Sequence, residues 1–576
     1  FTTSMLLVGA AFAQDPPSRV ARLNHLEGAV SFQPASVNDW TEATLNYPLT
    51  IGDHLYTDDG ARAEMHIGSS GIRLAPRTNM SFLNLDDRTV QIQITEGAIN
   101  LRIRHLDDRE LYEIDTPNGA ISLLRTGEYR IDTDPDRNAT MVTVRSGEAE
   151  ATANGASFAI HPQQTAYFTG DGSQQDVRNA NAPDGFDQFC EQRDRREDSA
   201  PPPRYVSREM AGYEDLEAHG VWRTVPEYGA VWVPRVEAGW APYRFGHWAW
   251  VEPWGWTWID SAPWGFAPFH YGRWAFIAGA WGWIPGPVAV RPVYAPALVA
   301  FVGGNHWSVS LNLGGGGGGV AWFPLGPREV YQPAYHVSPA YVNRVNVTNV
   351  TNITNVTNIR NTNITNVKYV NQTVPGAVTA VSRQDFVTAR PVQRAAVVVP
   401  AAAIASAPVA SSVAIAPQRE SILAASARPV AQPRAMFAQR QVITKTAPPL
   451  PPVPFAVKQQ ALQANPGRPV DPATLRTLRS DHPAAAGRIG IQAAPVRTGN
   501  GLNNLPPART AVPLPRPPAA EMNRERQIQP QVQRQTQIQP RQEIKRDNRE
   551  ERKAAPEAKP HPHDEKKSEE KKPVER

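Results

Sequence analysis

The chain has 576 residues, with 55 Pro, 40 Gly, 59 Lys and Arg against 55 Asp and Glu, a formal net charge of +4, and one cysteine. That length exceeds one ordinary domain, and the proline lies mostly late, where a chain cannot bury enough apolar surface to offset its conformational entropy. The lone Cys190 excludes an internal disulfide framework, and no internal run reaches the roughly 18 apolar residues of a membrane span, so no transmembrane span is expected.

Met5 to Ala11 is a short apolar run, and Ala11-Phe12-Ala13 is a small-residue cleavage pattern followed by Gln14, Asp15 and Pro16. Residues 1–13 read as the end of a secretory signal peptide, N-terminally incomplete because no basic stretch precedes it. A buried N-terminal helix or strand is the alternative. The expected location is the periplasm or the extracellular cell surface.

Residues 18–170 read as β throughout. Val90, Ile92 and Ile94 alternate with Gln and Thr, and Ile99, Leu101 and Ile103 alternate with Asn and Arg, the period of half-buried strands. A short pattern recurs at Glu27-Gly28-Ala29, Glu96-Gly97-Ala98 and Ser146-Gly147-Glu148, placing a glycine where one strand must turn into the next. Asp58-Asp59-Gly60 and Pro117-Asn118-Gly119 add turn signals. A sandwich, roll or stack of strands is expected.

The run Gly52-Asp53-His54-Leu55-Tyr56-Thr57-Asp58-Asp59-Gly60-Ala61-Arg62-Ala63, with Gly68-Ser69-Ser70, Glu96-Gly97-Ala98-Ile99, Asp115-Thr116-Pro117-Asn118-Gly119-Ala120 and Val144-Arg145-Ser146-Gly147-Glu148-Ala149, resembles the FecR-type domain, the periplasmic part of the iron-dicitrate sensors. The resemblance covers about a quarter of the chain and implies an all-β exported module used in binding or signalling. In those sensors a sigma-factor-binding segment and a membrane span precede the domain. Here the end of a cleavable signal precedes it, which departs from that pattern.

Residues 183–212 read as a linker. It holds a short solvated helix of alternating charges around Cys190, ended by Pro201-Pro202-Pro203. Cys190 is either an incidental thiol there or a pairing site between chains.

Residues 213–345 form a Trp-rich repeat module. Twelve of the 15 Trp fall between Trp222 and Trp283, in units of aromatic-Gly followed by Trp and then Trp-Gly-Trp, at Trp254-Gly255-Trp256 and Trp281-Gly282-Trp283. Spacing of two in Trp248/Trp250 and Trp254/Trp256/Trp258 puts each set on one strand face, so short hairpins with aromatics stacked across strands are expected. Trp248, Trp250, Trp254, Trp256, Trp258, Trp274, Trp281 and Trp283 are the candidate residues for a ligand or an interface, with His247 and His270 among them. The bland alternative is that the rings are the core of a module with few aliphatics. This part resembles an uncharacterised family of bacterial envelope proteins that couple such modules to FecR-type heads.

Gly314 to Gly319 reads as a loop between strands at Ser308–Leu311 and Val320–Phe323. The Trp-Phe-Pro after it does not open the helix that a nucleotide-binding loop requires. Residues 346–368 repeat Asn-Val-Thr with period three, either an extended polar linker or a self-associating β edge. From 369 to 576 Pro, Ala, Gln and Arg dominate, as in a disordered tail with polyproline stretches. Charge divides along the chain. Residues 18–170 carry 13 Arg against 21 Asp and Glu, whereas residues 375–520 carry 16 Lys and Arg against 4 acids. The acidic head and basic tail could attract each other, or the tail could contact anionic envelope polymers.

Catalytic motifs are absent: there is no Gly-x-Ser-x-Gly elbow, no His-Glu-x-x-His and no phosphate loop. Paired acids such as Asp58/Asp59, Asp86/Asp87 and Asp107/Asp108 sit in turn sequences, and His561/His563 is a weak metal pair in a tail. The chain is therefore expected to be no enzyme, with no catalytic residue, no cofactor, no metal and no nucleic-acid partner. The fold class is all-β: a FecR-type head, a second small Trp-rich β module and a long disordered C-terminal region. An envelope protein or glycan is the expected partner, in a scaffold or binding role. A regulatory component related to the FecR sensors and a glycan binder acting through the Trp module are the alternatives, and a hydrolase of envelope polymers ranks last.

Overall fold

In the computed structural model the described residues run from 15 to 493, except 173, 202, 290, 304–317, 348–367, 406, 425–429 and 483–490. The signal-peptide reading, the strand expected at Ser308–Leu311, most of the glycine run and of the Asn-Val-Thr repeat, the His561/His563 pair and the chain beyond 493 lie outside them.

Alternation of period two builds the head. Seventeen strands between Ala21 and Asn179 form two layers joined through one long strand, Thr89–Ile103. Its first half pairs with Thr78–Leu85 and, in parallel, with Leu111–Thr116. Its second half pairs with Ser70–Leu74 and Gly127–Asp134. The change of layer falls at Gly97, whose φ of +88° is left-handed. A β-carbon there would lie 2.4 Å from Thr78 Oγ1 and 2.5 Å from the Arg77 carbonyl oxygen, so only glycine fits. The same motif at Gly28 and Gly147 also carries the chain between layers, from Ala21–Glu27 to Val30–Gln33 and from Ala139–Ser146 to Ala149–Ala153. The repeat thus marks crossings of the sandwich, where hairpin turns were expected.

The inward rows, Val90, Ile92 and Ile94 with Ile99, Leu101 and Ile103, are fully buried. The outward polar rows are buried too, among them Glu64 and Arg73 on one layer and Gln91, Glu113 and Asp115 on the other. Strands expected to be half-buried are therefore covered on both faces.

One cover is the helix Gly185–Asp198. Asp184 caps it, accepting from the amides of Phe186 and Asp187 while Asp187 reaches back to the Asp184 amide. The expected solvated linker helix instead docks, because its acids meet the arginines of the strands. Asp187 lies 3.0 Å from both Arg130 and Arg145, and Asp194 lies 2.9 Å from Arg73 and 2.8 Å from Arg104. Phe186 and Cys190 pack on Ala75 and Ala98. Cys190 is fully buried and burial pushes its thiol up, so it offers no reach to another chain.

Three hairpins follow in the Trp-rich stretch: Gly220–Val225 with Gly229–Pro234, Gly246–Val251 with Gly255–Asp260, and Arg273–Ile277 with Ala280–Ile284. A further sheet runs in the order Thr379–Ser382, Gly319–Pro324, Val299–Val302, Val409–Ala410. The strands flanking the glycine run thus pair antiparallel, and both edges come from beyond residue 369. Asn346 and Val347 end a helix, Pro339–Val347, rather than opening an extended repeat. Between 368 and 482 the described chain carries short helices and strands, and Phe386, Ile415, Ile422, Phe455 and Leu462 are buried in the same core as the head and the Trp hairpins. The boundary of structured chain therefore lies well past 369. Isolated apolar residues suffice there, because they bury against surfaces already formed. No helix among the described residues is long and apolar enough to cross a membrane.

Candidate functional site

Register brings the tryptophans together. Trp222 lies opposite Trp232, Trp248 opposite Trp258, Trp250 opposite Trp256, and Trp274 opposite Trp283. In the central hairpin the paired rings meet edge to face, at 5.6 Å for Trp248 and Trp258 and 5.5 Å for Trp250 and Trp256. All eight candidate tryptophans are buried: Trp248, Trp250, Trp254, Trp258, Trp274 and Trp283 at 0–2 % exposure, Trp281 at 5 % and Trp256 at 7 %. None stands open to bulk solvent, and Trp250 and Trp254 line a cleft. The indole N–H groups of Trp274, Trp283 and Trp256 donate to the carbonyls of Pro268, Tyr271 and Ile415, that of Trp258 donates to Asp260, and those of Trp248, Trp250 and Trp254 are buried without an acceptor among the described residues. His270 is fully buried among them and His247 half-buried, and desolvation lowers His247 to about 4 and His270 to about 3, so both are neutral.

A buried charge cluster that sequence reading missed joins the head, the docked helix and the Trp-rich part. Nε2 of His66 lies 3.3 Å from Glu64 and 3.2 Å from Glu197, and its Nδ1 lies 3.2 Å from Glu214. Arg22 pairs with Glu214 at 2.8 Å and with Asp215 at 2.7 Å. Burial opposes the charge on His66, but Glu197 and Glu214 hold the imidazolium well above the usual range. Glu214 is brought down to about 2 against its own burial, by His66 and Arg22. Glu64, His66 and Glu197 are close enough to share a metal ion. The lone pairs of Glu64 are already taken, however, by Asn24 at 2.8 Å, Arg73 at 2.7 Å and Arg193 at 2.7 and 2.9 Å. With His66 protonated, Arg22, Arg73, Arg104 and Arg193 match Glu64, Asp194, Glu197, Glu214 and Asp215 charge for charge, so the geometry is that of a clamp.

On the opposite layer the outward row Gln91, Glu113, Ser122, Glu150 is continuous across four strands. The strand Val442–Thr444 and the two residues after it lie over this row. The Lys445 and Thr446 amides both donate to Glu113 Oε1 at 2.9 Å, Gln91 donates to the Thr446 carbonyl at 2.8 Å, and the Lys445 ammonium pairs with Glu150. Burial, reinforced by Glu113, raises Asp115 well above the carboxylate range. Arg419 pairs with Asp39 and Lys458 with Glu252. The basic segment thus straps the acidic head.

Where head, Trp hairpin and strap meet there is a cleft of about 380 Å³. Leu49, Ile51 and Leu85 of the head, Trp250 and Trp254 of the hairpin, and Leu450 and Val453 of the strap form its apolar walls. Asp53 lines it with both oxygens engaged, accepting from the amides of Ala35 at 3.0 Å and Thr50 at 2.8 Å, and burial raises it to about 7. The proline run at Pro449 to Pro452 sits directly on the turn at Gly52.

The model of a family described as "Family of unknown function (DUF6600)" matches residues 213–329, the Trp-rich part. No curated protein matches. Two crystal structures of a "putative anti-sigma factor" from Parabacteroides distasonis are similar, at 14% and 13% identity and a TM-score of 0.21, covering 22% of this chain. The chain spans 60% of the length of that protein. A likeness that slight identifies neither fold nor function.

Proposed function

We propose that this chain is an exported, non-enzymatic binding or scaffold protein of the bacterial cell envelope, in which the basic segment regulates access to an acidic head. The observation that carries this is the strap over Glu113, Asp115 and Glu150. A catalytic acid pair requires a substrate-accessible cleft, and Glu113 and Asp115 are fully buried beneath backbone amides. The same covered face, if released, presents a row of acids to a basic partner. The eight tryptophans serve as frame, so a protein or glycan partner of the envelope is met elsewhere than on their faces. Fractionation of cells carrying the full-length gene, with the N-terminus of the mature chain determined, tests the reading. Processing after Ala13 and recovery from periplasm or cell surface support it, and an unprocessed cytoplasmic chain overturns it.

A second, regulatory reading is favoured by the resemblance of residues 18–170 to the FecR-type domain together with the strap. Transcript profiling after deletion of the gene tests it. A narrow response restored by the full chain supports regulation, and an unchanged profile removes it.

A further inference from the structure

The polar groups that line the cleft between head, hairpin and strap are unequally partnered. Its acids are engaged: Asp53 accepts from Ala35 and Thr50, and Glu252 is paired with Lys458. Its two guanidinium groups are not fully engaged. Arg19 bonds the Asp86 carbonyl through Nε and Glu110 through Nη1, leaving Nη2 buried without an acceptor among the described residues. Arg479 donates one hydrogen bond, to the Pro451 carbonyl at 3.3 Å, and its Nε is likewise buried without an acceptor. Buried donors without partners are costly and uncommon in folded proteins. Here both belong to cations that line a cleft walled largely by apolar side chains, among them Leu49, Ile51, Leu85, Trp250 and Leu450.

We infer that this cleft binds an amphiphile with a single apolar chain and an anionic head, the chain against Trp250, Trp254 and Leu450 and the head on Arg479 and Arg19. A volume of about 380 Å³ falls within the range of small-molecule pockets. A guanidinium recognises carboxylate and phosphate heads alike, through charge-assisted hydrogen bonds. A scaffold needs no ligand in this cleft, so the inference goes beyond the proposed function and stands or falls separately from where the protein resides.

The test uses the purified full chain and ω-bromoundecanoate, held below its micelle concentration, as a heavy-atom quencher of tryptophan. Trp250 and Trp254 line the cleft and would be reached first. The expected result is saturable quenching that dodecanoate reverses and ω-bromododecanoate reproduces. Affinity for ω-bromoundecanol should be lower by about tenfold or more, because it lacks the charged head. Arg479→Gln, in a half-exposed position on the helix Pro472–Asp481, should weaken the acid and leave the alcohol unchanged, with the unfolding midpoint confirming an intact fold. Ile51→Trp, which fills the cleft from a half-buried position, should abolish quenching by both. Dodecanoate and dodecyl phosphate as competitors separate the two head chemistries, and competition by either supports the site. Quenching that does not saturate, or that is equal for acid and alcohol, or that is indifferent to Arg479→Gln, overturns the inference.

Discussion

Replacing His66 by Gln tests the charge cluster most directly. In the native chain the imidazolium is fully buried between the carboxylates of Glu64, Glu197 and Glu214, each 3.2–3.3 Å away, and Arg22, Arg73, Arg104 and Arg193 complete the balance. Glutamine keeps most of the volume and one donor but removes one positive charge, leaving one buried carboxylate uncompensated. Removing one partner of a buried ion pair costs about 3–5 kcal/mol. The assay is urea unfolding of wild type and variant across a pH series. At pH 7 the variant should be weaker by that amount, and the gap should shrink toward pH 5 as Glu214, no longer held down by His66, takes up a proton in its place. The wild type has the opposite dependence on its alkaline side. The folded pKa of His66 lies above its unfolded value near 6.5, so its contribution is complete below that value and is lost as pH rises through the folded pKa. Glu214, held at about 2, contributes above its unfolded value near 4.5 and loses that contribution as pH falls from there toward 2. A variant within about 0.5 kcal/mol of wild type at pH 7, the usual range for an inconsequential surface change, would refute the clamp.

Gly97→Ala forces a β-carbon into left-handed backbone against Thr78 and Arg77, and should cost about 1–3 kcal/mol by urea unfolding. Trp283→Ala empties the space of a fully buried ring opposite Trp274, and should cost about 3–5 kcal/mol, while native emission stays blue-shifted until unfolding. Lys445→Glu places like charge beside Glu150 and Glu113. It should speed tryptic cleavage at Arg440 and Arg434 while changing global stability by less than about 1 kcal/mol, since the pair is partly exposed. Asp260 is raised by burial to about 8, so it opposes folding increasingly as pH rises from about 4 to 8. Asp260→Asn, which keeps an acceptor for the Trp258 N–H, should flatten the stability profile across that interval.

What the sequence disclosed and what it hid follow one physical division. Period-two alternation at Val90–Ile94 and Ile99–Ile103 disclosed strands and their apolar face, because pleating sends alternate side chains to opposite sides whatever surrounds them. Aromatic-Gly and Trp-Gly-Trp units disclosed short hairpins in two or three repeats, because glycine permits the turn and spacing of two aligns the rings. What covers the polar face has no local signature. Nothing local in the sequence marks Glu64 and His66 as buried, and the helical run Asp187 to Asp198 reads as solvated, yet Glu64 pairs with Arg193 and His66 with Glu197 across more than a hundred residues of sequence. The opposite charge of head and tail was visible as composition, and attraction between them was one of two readings. Composition could not say that Lys445 and Thr446 lie over Glu113, because that depends on a strand face built by residues 91, 113, 122 and 150. The tryptophans show the converse. Their number left two readings open, a binding platform and a core, and the structure holds the second: a module with so few aliphatics makes its core from the rings it has, and the same indoles that would stack on a ligand stack on one another. A binding role for this chain is therefore to be sought in the cleft lined by Arg19, Arg479, Trp250 and Trp254, where buried polar atoms are left without partners, rather than along the whole tryptophan array.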